Sequence, residues 1–127
     1  MILFKAISEH DIHIAISDAA ETKDPMYEIV IGGWTNTASV IRRASQGEEL
    51  AKSNKTIKKT DAPQEYWVAV DSARKTVAVG YGSAAGKDKI LEWKDPSFLA
   101  KVQYVAFSSW ENEIAYTDIK FAALTGK

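Results

Sequence analysis

The residues of this 127-residue sequence that offer recognisable chemistry are its four tryptophans and the polar side chains beside them. Trp110 is followed by Glu111 and Asn112, and Trp34 by Thr35 and Asn36. An indole covers the apolar C–H face of a sugar ring, while a planar amide, a carboxylate or a guanidinium takes its paired hydroxyls. Trp110, Glu111 and Asn112 are therefore the first candidates for a carbohydrate site, with Asn36 and Arg43 second and Lys94 and Asp95 as neighbours. In that arrangement Trp110 stacks on the pyranose, Asn112 and Glu111 hold adjacent hydroxyls, and Arg43 orders the carboxylate. Trp34, in Gly32-Gly33-Trp34, reads as a packed corner. Trp67 and Trp93 lie inside apolar strands and are expected in the core.

Other chemistries lack the spacing they need. Gly82-Ser83-Ala84-Ala85-Gly86-Lys87 is one residue short between its glycines for a phosphate loop, and Asp88 stands where that loop needs Ser or Thr. A strand rather than a helix is expected to follow, so the segment reads as a hairpin loop. His10 falls in a turn and His13 on the polar side of a strand; solvated surface is the expected place for both. A metal centre wants three or four convergent ligands, and the acidic loops from Asp18 to Asp24 and at Asp95 fit no calcium loop. No Gly-x-Ser-x-Gly elbow is present, and nothing singles out a carboxylate pair for glycoside hydrolysis. Glu28, Arg42, Arg43 and Asp95 are expected to form one structural ionic network. The reading is of no catalytic residues, no metal and no cofactor.

The elements that must position these residues are strands. From Tyr27 to Arg43 (YEIVIGGWTNTASVIRR), Tyr27, Ile29 and Ile31 point one way and Glu28, Val30, Gly32 and Trp34 the other. Gly32-Gly33 marks a bend or a close backbone approach, and Trp34 to Thr37 a polar turn in which Asn36 tolerates the left-handed conformation. Arg42 and Arg43 must face opposite sides, so at most one shares the space of Glu28 or Trp34. Alternation also predicts strands over Ile2–Ala6 and Ile12–Ile16, with Ser17 to Pro25 as a loop. Glu49 to Lys52 reads as an edge strand or a helical turn, and Thr56 to Lys59 as a lysine-protected edge strand. Tyr66–Val70, Thr76–Tyr81, Ile90–Trp93, Val102–Trp110 and Ile114–Phe121 complete the series, with Glu111-Asn112 a tight turn. About nine strands at eight- to twelve-residue spacing, without a helical period, predict an all-β, single-domain antiparallel β-sandwich of jelly-roll-like type over residues 1–127.

Composition bounds the partners. Sixteen basic and seventeen acidic side chains leave a net charge of −1 and no electrostatic case for nucleic acid or an anionic membrane. The absence of Cys excludes disulfides, thiolate metal sites and a Cys nucleophile. The N-terminus, MILFKAIS, has too short an apolar run for a signal peptide, and no run reaches bilayer-spanning length, so no membrane insertion is expected. Localisation stays open on this reading, cytoplasmic or released by a non-signal route.

Tyr27 to Arg43, then YWVAV, VAVGYG, LEWKDP and YVAFSSWENE, in this order, resemble the farnesoic acid O-methyltransferase-like domain, from about Asp11 to Trp110. Ala38, the Ala84-Ala85 loop and the ending from Ile119 to Lys127 carry nothing diagnostic. The resemblance implies an all-β sandwich of about this length. The family's name implies S-adenosylmethionine and a sesquiterpenoid acid, while related domains resemble lectins of marine invertebrates. S-adenosylmethionine methyltransferases generally use an open parallel α/β sheet with a glycine-rich loop, and this chain has no βαβ period. The reading is thus a non-catalytic, lectin-like module that binds carbohydrate or glycoconjugate and gains avidity as a homo-oligomer. The alternatives are an S-adenosylmethionine-dependent farnesoic acid O-methyltransferase and a protein-interaction module.

Overall fold

The computed structural model of the protein describes residues 1–17, 26–43, 47–57, 62–96, 98, 104–110 and 113–122. Ten strands are present: β1 (Ile2–Ile7), β2 (Ile12–Ser17), β3 (Met26–Gly32), β4 (Ala38–Arg43), β5 (Glu48–Ser53), β6 (Gln64–Asp71), β7 (Thr76–Tyr81), β8 (Lys89–Lys94), β9 (Tyr104–Ser109) and β10 (Ala115–Phe121). They form two five-stranded sheets, ordered β10-β1-β6-β7-β8 and β5-β4-β3-β2-β9. Every pairing among the described strands is antiparallel. The architecture is the expected antiparallel β-sandwich.

Period-two alternation explains the core. Ile12, Ile14 and Ile16 of β2 and Tyr27, Ile29 and Ile31 of β3 are buried and face Phe4, Tyr66, Val68, Val77 and Val79 of the opposite sheet. Burying each such aliphatic side chain contributes roughly 1.5–3 kcal/mol. Phe4 is the aromatic hub, with ring centroids 5.4 Å from Tyr66, 5.2 Å from Phe107 and 6.0 Å from Tyr116. β5 and β8, edge strands of opposite sheets, meet along one side. There Lys55 Nζ donates to the Lys89 carbonyl at 2.6 Å.

Of the two readings of Glu49 to Lys52 the edge strand holds, as β5. Other expectations change. Thr56 and Ile57 are not in a strand: Ile57 turns its side chain into the core, while Lys58 and Lys59 lie outside the described residues. Trp67 is buried, but on the outer face of its sheet, under the loop that follows β7; its Nε1 donates to the Lys87 carbonyl at 2.9 Å. Trp93 packs half-buried against the core. The loop from Ser17 to Pro25, apart from Ser17 itself, lies outside the described residues.

The expected single ionic network is two separate pairs on the two faces of β4, as alternation requires. Arg42 turns outward, its Nη1 3.1 Å from Glu28 Oε1. Arg43 turns between the sheets to pair with Asp95, which also accepts the Tyr27 hydroxyl at 2.7 Å. Asp95 is 1% exposed and follows β8, so this trio ties the two sheets together at the far end of β4.

Candidate functional site

A cleft of about 310 Å³ opens where the β1–β2 turn, the β3–β4 turn and the end of β9 come together. Trp34 and Trp110 both line it, and they are 45% and 56% exposed. Asp11, flanked by His10 and His13, supplies its acidic group, and Arg42 its cation. Val30 and Gly33 contribute apolar surface and Thr35 a hydroxyl.

The β3–β4 turn that carries Trp34 is unusual. It is a single turn, α1 (Gly33–Asn36), whose central residues are left-handed: Trp34 has φ 50° and ψ 54°, and Thr35 φ 59° and ψ 45°. Gly32 before it and Asn36 at its end are also left-handed, at φ 70° and 60°. Gly and Asn adopt this region readily, whereas an aromatic or β-branched residue there costs about 1 kcal/mol or more. The strain is held by latches on every side. Thr37 donates its N–H to the Gly33 carbonyl and its hydroxyl to the Trp34 carbonyl. Ser39 Oγ accepts from Gly32 N–H and donates to the Lys55 carbonyl. Asn36 bonds twice to the backbone of Ile57. A side chain fixed at such a conformational cost is typical of functional sites.

Register explains what lies beneath Trp34. On the outer face of this sheet, His13, Val30, Val40 and Lys52 are cross-strand neighbours from β2 to β5, and Ala15, Glu28, Arg42 and Glu49 form the next row. Lys52 Nζ is 4.3 Å and the Arg42 guanidinium carbon 5.3 Å from the Trp34 ring centroid. The cations therefore hold the indole on the sheet. Arg42 also reaches Glu49 at 3.9 Å. This roof is why Glu28 and Val30, on the outward side of β3, are nonetheless buried.

Asp11 joins the first two turns. Its φ is 56°, its N–H donates to the Gly32 carbonyl at 2.9 Å, and its carboxylate receives one imidazole on each oxygen. His10 Nδ1 is 2.7 Å from Oδ2 and His13 Nε2 is 3.4 Å from Oδ1. The Ser8 hydroxyl donates to the His10 carbonyl and stiffens the turn. Both histidine side chains are largely shielded, unlike the solvated surface positions expected for them. Among the described residues no group of three or more His, Asp or Glu is placed to hold a metal ion.

Of the expected site residues, Trp110 lines the cleft, and Glu111 and Asn112 lie outside the described residues. Asn36 is close by, but both groups of its carboxamide are committed to Ile57. Arg43, Lys94 and Asp95 are at the other end of β4 and β8, roughly 17 Å from the α1 end by the rise of a strand, and do not line the cleft. Asp11, His10, His13, Arg42 and Trp34 are not among those expected residues; Trp34, expected as a packed corner, is exposed on the cleft. Arg42 was legible: once Glu28 faces outward, its antiparallel partner does too. Asp11 and the histidines carried no comparable signal, because only β2 pairing with both β3 and β9 brings their turn to Trp34 and Trp110.

Fold and cleft together define an all-β sandwich module with a small, aromatic-flanked polar cleft at one end. The family described as farnesoic acid O-methyl transferase matches residues 1–120, and the chain belongs to that family. It is also similar to a BTB/POZ domain-containing protein of Arabidopsis thaliana, with 20% identity over 132 aligned positions. That similarity takes in 98% of this chain but only 16% of the plant protein's length. No solved structure matches.

Proposed function

We propose that this chain is a non-catalytic, lectin-like module that holds a saccharide in the cleft flanked by Trp34 and Trp110. The observation that carries the reading is the presence of two exposed indoles on one cleft whose polar group is a shielded carboxylate. One indole stacks on the ring, and the polar groups between them take its hydroxyls. At about 310 Å³ the cleft is at the small end of ligand pockets, suited to one sugar ring. A farnesyl chain together with a nucleoside-bearing methyl donor needs far more room. The antiparallel sheets also lack the parallel α/β crevice in which such cofactors usually lie. The family's enzymatic description is therefore not carried over to this chain.

A single sugar site is weak, so useful avidity calls for several copies. Homo-oligomerisation supplies them, and light scattering of the purified chain measures it. The testing experiment is a glycan array with the labelled protein, run with and without chelator. Binding to a set sharing one terminal sugar, lost in Trp34→Ala and Trp110→Ala with melting temperature kept, supports the reading. A blank array with folded protein overturns it and favours a protein-interaction module, the reading suggested by a relative that carries this segment within a much longer BTB/POZ protein.

A further inference from the structure

Asp11 occupies a position that turn formation alone does not explain. Its carboxylate is largely withdrawn from water, yet neither of its ion-pair partners is Arg or Lys. The nearest guanidinium on the cleft, Arg42, is spent on Glu28, Glu49 and the Trp34 ring. An ionised carboxylate only accepts hydrogen bonds, so His10 Nδ1 and His13 Nε2 are the nitrogens that carry a proton toward it. This fixes both ring orientations and the plane of the carboxylate. Each carboxylate oxygen has about two acceptor sites. With one imidazole on each, both oxygens keep capacity for a further donor.

A ligand matching this geometry offers two neighbouring donors and no positive charge. Neighbouring hydroxyls on a sugar ring are such a pair. A cation is disfavoured at the ring face, because Lys52 at 4.3 Å and Arg42 at 5.3 Å already occupy the attraction of the Trp34 π system. A metal ion has no ligand set among the described residues.

We propose that Asp11 is the specificity-determining acceptor of the cleft, binding two adjacent hydroxyls of an uncharged saccharide while His10 and His13 hold its carboxylate in place. This rests on the carbohydrate reading above. His10 and His13 are positioning residues.

The test is calorimetric titration with the methyl glycosides of mannose, galactose, glucose and N-acetylglucosamine, each beside its single-deoxy derivatives. The expected result is that at least one parent glycoside binds and that loss of either of two adjacent hydroxyls weakens it about tenfold. Asp11→Asn, which keeps the shape and tolerates the left-handed backbone, is expected to weaken it equally while melting as the parent does. His13→Leu weakens binding and His13→Gln, which retains an N–H donor, restores it; a purely structural role would not separate the two. Glycoside binding that survives Asp11→Asn, or displacement of the sugar by tetramethylammonium, overturns the assignment to Asp11 and leaves the carbohydrate reading standing. Absence of any glycoside binding, together with a blank array, overturns both. Should Asp11→Asn not fold, the deoxy series on the unaltered protein decides: no adjacent pair of sensitive hydroxyls overturns the proposal.

Discussion

The carboxamide of Asn36 closes a two-point ring with the backbone of Ile57, accepting its N–H at 2.8 Å and donating to its carbonyl at 3.0 Å. A side chain thus replaces a strand partner, and it ties the strained turn beneath Trp34 to the segment that follows β5. Asn36→Ala loses both bonds and places a Cβ residue with little left-handed tolerance at φ 60°. The expected loss is about 2–3 kcal/mol in urea denaturation. Asn36→Gly loses the bonds without the backbone cost and should fall short of that by about 1 kcal/mol.

Thr35 gives the opposite sign. It is exposed, β-branched and held at φ 59°. Thr35→Gly removes that strain, and stability should rise by about 1 kcal/mol, against the usual cost of a glycine. An unchanged or lowered urea midpoint would show that the turn stores no such strain.

Gly80 faces Trp67 across β6 and β7. A Cβ at Gly80 would stand 2.5 Å from ring atoms Cε2 and Cζ2 of Trp67 and 2.6 Å from Nε1. The indole is pinned by its bond to the Lys87 carbonyl, so it cannot yield cheaply. Gly80→Ala should cost about 1–3 kcal/mol by overpacking, and tryptophan emission should shift as the ring is displaced.

Arg43 and Asp95 form the tie between sheets at the end remote from the cleft. Arg43→Leu leaves Asp95 with Tyr27 but without its guanidinium. Breaking one side of a buried pair typically costs about 3 kcal/mol or more. Denaturation should show that loss, while sugar binding at the cleft should be unchanged at temperatures where the variant is folded.

Alkaline pH should destabilise the fold through its tyrosines. Burial pushes the phenols of Tyr66, Tyr116 and Tyr81 up from their ordinary value near 10. Tyr81 adds to the rise at Tyr66, and Tyr66 to that at Tyr116, where a hydrogen bond from the His13 backbone acts in the other direction. A raised folded-state value leaves stability intact below about pH 10 and removes it as pH climbs further, because the unfolded chain releases protons that the folded chain keeps. Denaturation midpoints across that range, with tyrosinate absorbance, measure it. Tyr116→Phe should flatten part of the fall.

Which face a side chain takes is a local property of an extended chain, and alternation alone therefore delineates most of the sandwich. The alternation of Ile12, Ile14 and Ile16 and of Tyr27, Ile29 and Ile31 named the core face, Gly32-Gly33 marked a bend, and Trp34 to Thr37 a polar turn in which Asn36 tolerates the left-handed conformation. The same alternation separated Arg42 from Arg43. Where alternation was short, as from Thr56 to Lys59, a strand was read where Ile57 instead drops into the core and is bonded by Asn36. The cleft was decided only by tertiary structure. Asp11, Trp34, Arg42 and Trp110 meet because β2 lies between β3 and β9, and because the strained α1 turn lays its indole on cations from β4 and β5. Asp95 likewise became a structural tie through Arg43, 52 positions away. Such meetings depend on which strands pair and on how the sheets close, long-range choices that no local pattern of residue types encodes.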